Sequence, residues 1–195
     1  VADNLYYSCW LRNFSPLSML RHFGRALELL PISPQNPADS LLRVQPVSSA
    51  EPPLLERPFL DPIDPKAVLD AASEHLHDDS AYSFETWWGL WTFDKDWTLR
   101  PSRISLHCFG PRFSDSPLGD EDRHAEHLRL DFGLDSWYLP NLELPNAAWY
   151  ARSNLKGLLK LVHSIDEALP IERRSLWTES GGNFADKLRD AAADL

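Results

Sequence analysis

Residues Tyr82–Phe109 read YSFETWWGLWTFDKDWTLRPSRISLHCF and hold four of the chain's eight tryptophans. Aromatic and β-branched side chains suit a pleated, half-buried surface. Asp94-Lys95-Asp96 supplies turn chemistry between two such runs. The stretch therefore predicts a β-hairpin, placed at the middle of the sheet. Side chains alternate along a strand. Tyr82, Phe84, Thr86, Trp88 and Leu90 share one face with Ile104, Leu106 and Cys108 of the second strand. Ser83, Glu85, Trp87, Gly89, Trp91 and Phe93 share the other with Arg103, Ser105 and His107. The first face is core. The second mixes aromatic and polar groups, and two expectations compete for it. It is covered by a second layer, as strands apolar on both sides usually are, or it is an open platform for a ligand or partner. Pro101 donates no ladder hydrogen bond, so a bulge or a free edge is expected there.

Working outward, Leu5–Phe14 alternates as a strand, with Leu5, Tyr7, Cys9 and Leu11 on one side and Tyr6, Trp10 and Arg12 on the other. Ser15-Pro16 is a helix-start signal, followed by Leu17, Leu20, Phe23, Leu27 and Leu30 at helical spacing. Residues 40–49 predict a strand near an edge because of Pro46, and residues 51–60, with three prolines, a weak edge strand. Asp64-Pro65 opens a second helix with Val68, Leu69, Ala72 and Leu76 inward, ending near Asp78. Residues 113–126 are polar and acidic and read as an exposed loop. Residues 127–135 alternate with Leu128, Leu130, Phe132 and Leu134 inward and Arg129 and Asp131 outward, and residues 137–139 suggest a short strand. Residues 146–169 predict the longest helix, with Leu155, Leu158, Leu159, Val162, Ile165 and Leu169 as its apolar stripe. Leu176-Trp177 reads as a short anchor within a connector that turns through Gly181-Gly182. Asn183 caps a terminal helix over residues 184–193. The expected fold is α+β: a two-layer, largely antiparallel or mixed sheet covered by helices. It forms a single domain over residues 1–195, with a helical C-terminal segment from about residue 146.

At 195 residues, 43% hydrophobic and 25% charged, the chain has the composition of an ordinary globular domain that needs no disulfide or metal staple. The formal net charge of −10 argues against nucleic acid, whose affinity comes mainly from Lys and Arg, and is compatible with a basic protein partner. No signal-peptide-like segment opens the sequence and no run of 18 apolar residues occurs, so a cytoplasmic protein without a membrane span is expected. Cys9 and Cys108 fall on apolar faces, where buried reduced thiols are expected.

No phosphate-cradling glycine loop, Gly-x-Ser-x-Gly elbow or His-Glu-x-x-His motif occurs, and two cysteines cannot alone make a structural zinc site. Metal binding has two weak candidates. His75 and His77 with Asp78 and Asp79 sit at a helix end, where histidine is electrostatically favoured without metal. His124 and His127 fall at a loop and strand start. No metal or cofactor is expected. For acid–base chemistry the candidates are Glu85, Arg103, His107 and Asp131 on the outer sheet face, because a histidine oriented by a carboxylate is a usual general base. Cross-strand charge pairing explains the same residues without a substrate. For binding, the candidates are Trp10, Arg12, Trp87, Trp91, Arg103 and His107. The function expected is a non-enzymatic binding protein, of the acidic inhibitor or immunity kind, for a basic protein. The alternatives are a small hydrolase working around His107 and a structural subunit that self-associates.

Overall fold

A computed structural model describes residues 2–114, 126–141, 143–181 and 183–193. Within them seven strands form one antiparallel sheet. They are β1 (Asn4–Leu11), β2 (Ser40–Pro46), β3 (Leu55–Phe59), β4 (Ser80–Phe93), β5 (Trp97–Phe109), β6 (Leu128–Leu134) and β7 (Ile171–Thr178). Their spatial order is β3-β2-β4-β5-β6-β1-β7. The helices are α1 (Met19–Leu27), α2 (Pro65–Ser73), α3 (Ala147–Ala168) and α4 (Phe184–Ala193). The fold is α+β. Among the described residues no helix is long and apolar enough to cross a membrane.

The hairpin of β4 and β5 is central and unbroken, with pairs running from Ala81–Phe109 to Phe93–Trp97. Pro101 pairs with Gly89 without a register shift. β6 reaches along β5 only as far as Ser105, so among the described residues Pro101 lies where the outer edge of β5 has no partner strand and no ladder donor is missed. The even-numbered side of the hairpin is core. Tyr82, Phe84, Ile104 and Leu106 join Leu130 of β6, Phe23 of α1, Val68 of α2 and Leu158 of α3 in one buried cluster. Thr86 lies on this side because its hydroxyl is paired with that of Ser40 at 2.8 Å, both groups being buried. The helices therefore pack on one side of the sheet. The other side carries Glu85, Trp87, Arg103 and His107, which are partly or fully exposed among the described residues, and at the hairpin tip it meets Tyr150 of α3. Both cysteines point into the core as free thiols, with β6 between their strands. Burial pushes the Cys9 thiol up to about 12 and raises that of Cys108 further.

Several elements differ from the sequence expectation. α1 starts at Met19, because Pro16, Leu17 and Ser18 close a preceding turn in which the amides of Ser18 and Met19 both donate to the Ser15 carbonyl. Leu17 is left 93% exposed instead of inward. α2 follows its cap as expected, with Asp64 accepting from the Lys66 amide, but it ends at Ser73 and leaves Leu76 exposed. Residues 135–137 form a 3-10 turn where a strand was expected nearby. Of the expected α3 stripe, Leu158, Ile165 and Leu169 are buried and Leu155 and Val162 pack against the core, whereas Leu159 is 47% exposed and Ala147, Ala151, Asn154 and Leu161 are buried in addition. Leu176-Trp177 belongs to β7, an edge strand paired along β1, and is not a connector. At the ends of the acidic stretch, Phe113 and Glu126 are buried, contrary to the exposed loop expected. Residues 115–125, including His124, lie outside the described residues, as does Gly182.

Candidate functional site

Register aligns the outward side chains into rows across the sheet face opposite the core. One row runs Glu56, Arg43, Ser83, His107, Arg129, Ser8, Ser175. The next runs Leu41, Glu85, Ser105, Asp131, Tyr6, Trp177. Trp87 and Arg103 are directly paired in the row beyond. The Arg103 guanidinium lies over the Trp87 indole, 5.3 Å from the ring centroid, and its Nε is 3.3 Å from Glu85 Oε1. The Trp87 indole N–H donates to the Ala38 carbonyl at 3.0 Å, which fixes the ring's orientation while leaving it half-buried. The arginine side chain is 60% exposed. A rigid indole braced by a guanidinium is the arrangement that anchors protein interfaces.

The structure brings Glu85, Trp87 and Arg103 together, with His107 one row further along. It separates the other expected residues. Trp91 is on the odd side but belongs to a cluster at the hairpin tip. Its ring lies 5.0 Å from that of Tyr150 of α3, and Tyr150 stacks on Trp97 at 4.4 Å. Trp10 is only 7% exposed, with the Arg173 guanidinium 3.7 Å above its ring, so it is not part of an accessible patch. Arg12 lies past the end of β1 in a turn, off the sheet face. Asp131 is opposite Ser105, not His107, and accepts from the Gly133 amide at 2.8 Å; burial raises its carboxyl above the usual range.

His107 faces cations. It pairs with Ser83 on one side and Arg129 on the other, and its ring is parallel to that of Phe109 at 6.0 Å. Burial, then the charges of Arg129 and Arg43, push its pKa down to about 3. The imidazole is therefore neutral near pH 7. Around it a concave pocket of about 620 Å³ opens between the sheet face and the residues Phe113 and Ser114. Gly110 makes that wall possible: a Cβ there would lie 2.4 Å from the Asp78 carbonyl oxygen. The close approach lets the Gly110 amide reach the Ser80 carbonyl at 2.9 Å and places Phe113 over Phe109. Val47, at the rim, holds φ +56, an uncommon conformation for a β-branched residue, and its carbonyl accepts from both the amide and the hydroxyl of Ser114.

Sequence reasoning missed Arg43, Arg129 and Glu126 as members of this region. Arg129 has its Nη1 3.0 Å from the wholly buried Glu126 carboxylate, and its guanidinium lies between the rings of Tyr6 and Phe109, at 5.5 and 5.1 Å. Burial raises the Glu126 pKa against the opposing pull of Arg129. The alternation of residues 127–135 puts Arg129 on the outer face, whereas residues 40–49, interrupted by Pro46, assign Arg43 to no face. Nothing in the sequence paired them with His107. Of the metal candidates, His127 accepts the Leu11 amide on Nδ1 at 2.8 Å and stacks on Phe14 at 4.0 Å, a structural placement. Among the described residues no three potential metal-binding side chains of His, Cys, Asp or Glu gather. Compared with protein-family models, curated proteins and solved structures, the chain matches none.

Proposed function

We propose that the chain is a non-enzymatic binding protein that holds a protein partner of basic surface on its open sheet face. The reading rests on one observation: on the sheet face opposite the main core, Trp87, Arg103 and Glu85 interlock and stay partly or largely exposed. Exposed aromatic area that is already pinned loses little conformational freedom on docking. The net charge of −10 steers a basic partner at long range. At short range the alternating pairs Arg103–Glu85 and Arg43–Glu56 set the register of docking. An acidic inhibitor or immunity-type protein of the cytoplasm, with no nucleic-acid or membrane partner, is the class this reading favours. The hydrolytic alternative is less favoured, because His107 has Arg129 beside it and Arg43 beyond Ser83 where a carboxylate is wanted.

The test starts by identifying the partner through co-purification and mass spectrometry, followed by calorimetry with the purified pair. Trp87→Ala is expected to weaken the complex by about 2 kcal/mol or more. Arg103→Ala is expected to weaken it further by removing the guanidinium that braces Trp87. An affinity indifferent to both changes would overturn the reading. So would a homodimer broken by Trp87→Ala, which identifies the face as a self-association surface.

A further inference from the structure

Beyond any protein partner, we propose that the pocket beside His107 binds a small organic anion, its apolar or aromatic body against Phe109 and Phe113 and its carboxylate or phosphate group against Arg43 and Arg129. The pocket's volume, about 620 Å³, is in the range of small-molecule sites. Its lining has two chemistries. Ala81, Phe109 and Phe113 form a small apolar cluster of their own, separate from the main core. Arg43, Arg129, His107 and Ser83 form the polar wall, and among the described residues no carboxylate lines the pocket.

Arg43 keeps donors in reserve. Arg43 binds Glu56 through Nε alone, at 2.7 Å, and its terminal nitrogens make no hydrogen bond among the described residues. Arg129 gives Nη1 to Glu126, and its side chain, 16% exposed, still lines the pocket. Arg129 is also held in place before any ligand arrives, by Glu126 on one nitrogen and by the Tyr6 and Phe109 rings on its faces. A guanidinium fixed in this way offers an oxyanion a directed, charge-assisted contact. His107, neutral between two guanidinium groups, adds polar capacity without a third charge. An inorganic anion would satisfy the arginines and leave the phenylalanine wall wet. An aryl or alkyl anion satisfies both.

The test is calorimetric titration of the full chain with phenylacetate, phenyl phosphate, benzyl alcohol and inorganic phosphate. Saturable binding of one of the two aryl anions, at one per chain, is expected, and which of them binds decides between carboxylate and phosphate. Benzyl alcohol and inorganic phosphate should bind at least about ten-fold more weakly, because each satisfies only one wall. Arg43→Ala should weaken the aryl anion about ten-fold or more without lowering the melting temperature, since the Arg43–Glu56 pair is exposed. Arg112→Ala, which removes an exposed partner of Asp78 outside the pocket lining, should leave binding unchanged. The site is overturned if neither aryl anion binds at millimolar concentration, if Arg43→Ala binds as well as the parent, or if Arg112→Ala is equally impaired. Inorganic phosphate binding as tightly as phenyl phosphate would overturn the apolar half.

Discussion

Asn154 of α3 takes the place of a neighbouring strand for Trp91 of β4. Its Oδ1 accepts the Trp91 amide at 2.9 Å, and its Nδ2 donates to the Trp91 carbonyl at 2.9 Å and to the Trp137 carbonyl at 2.8 Å. The need arises from topology. β2 pairs with β4 only as far as Glu85, so the outer edge of β4 runs on without a partner strand. The Ser33 amide closes that edge at the Trp87 carbonyl, at 2.7 Å, and Asn154 closes it at Trp91. An edge finished by a loop amide and a helix side chain is blocked against pairing with another chain.

Asn154 is 4% exposed, so removing its amide strands three main-chain groups away from water. Each such group costs about 1–3 kcal/mol. Asn154→Leu is therefore expected to lower stability by about 3 kcal/mol or more. Asn154→Asp keeps the acceptor and loses both donations, so it should be nearly as damaging. Urea denaturation reads both, and an unmoved midpoint for Asn154→Asp would show that the amide's donations do not matter.

The phase of α3 separates two neighbouring leucines. Leu158→Ala, at a position with no exposure, is expected to cost about 2–5 kcal/mol. Leu159→Ala, on the exposed shoulder, should stay within about 1 kcal/mol. Equal losses in thermal denaturation would mean that the helix is rotated from the orientation described.

That phase also shows where sequence reasoning reached its limit. A run with Leu155, Leu158, Leu159, Leu161, Val162 and Ile165 contains two overlapping stripes, and choosing between them depends on Ala147, Ala151 and Asn154, residues whose burial is set by the hairpin tip. The hairpin itself was legible because period-two alternation on both strands agrees with its turn. Its open face was not, because a strand apolar on both sides looks the same whether a second layer covers it or a row of tip aromatics does. β7 was hidden because Glu172, Arg173 and Arg174 dilute the alternation of a strand that is paired on one side only. The pocket beside His107 needed register: Arg43, His107 and Arg129 come from three strands separated by long stretches of chain, and only the pairing puts them in one row.

Trp87 and Trp91 occupy the same side of one strand, yet they should respond differently to truncation. Trp91 packs against Tyr150 and lies 6.2 Å from Trp149, and Trp91→Ala is expected to cost about 3 kcal/mol or more by opening the joint between α3 and the hairpin. Trp87 touches a loop carbonyl and an exposed arginine, so Trp87→Ala should cost about 1 kcal/mol. Chemical denaturation of the two variants checks this, and a larger loss for Trp87 would refute the division between tip cluster and open face.

His107 gives the fold a pH dependence of definite sign. In the unfolded chain an imidazole titrates near about 6.5, whereas in the folded protein burial, Arg129 and Arg43 hold its pKa at about 3. Between those limits the unfolded state binds the additional proton, so stability falls as pH is lowered from about 6.5 and the loss is complete near pH 3. His22, lowered by burial and Arg21, acts in the same direction. Asp131 and Glu126, both raised by burial, act in the opposite one, because the folded state holds their protons at higher pH than the unfolded chain does. The wild-type curve alone is therefore a sum of opposing slopes, and the difference from His107→Gln isolates the imidazole. Because His107 is only half-buried, water screens part of the effect, and the wild type is expected to lose about 1 kcal/mol relative to His107→Gln between pH 7 and pH 4.5. Denaturant titrations of both proteins across that range supply the measurement. Parallel stability curves would mean that the imidazole is as free to protonate in the folded protein as in the unfolded chain, and that Arg43 and Arg129 do not act on it.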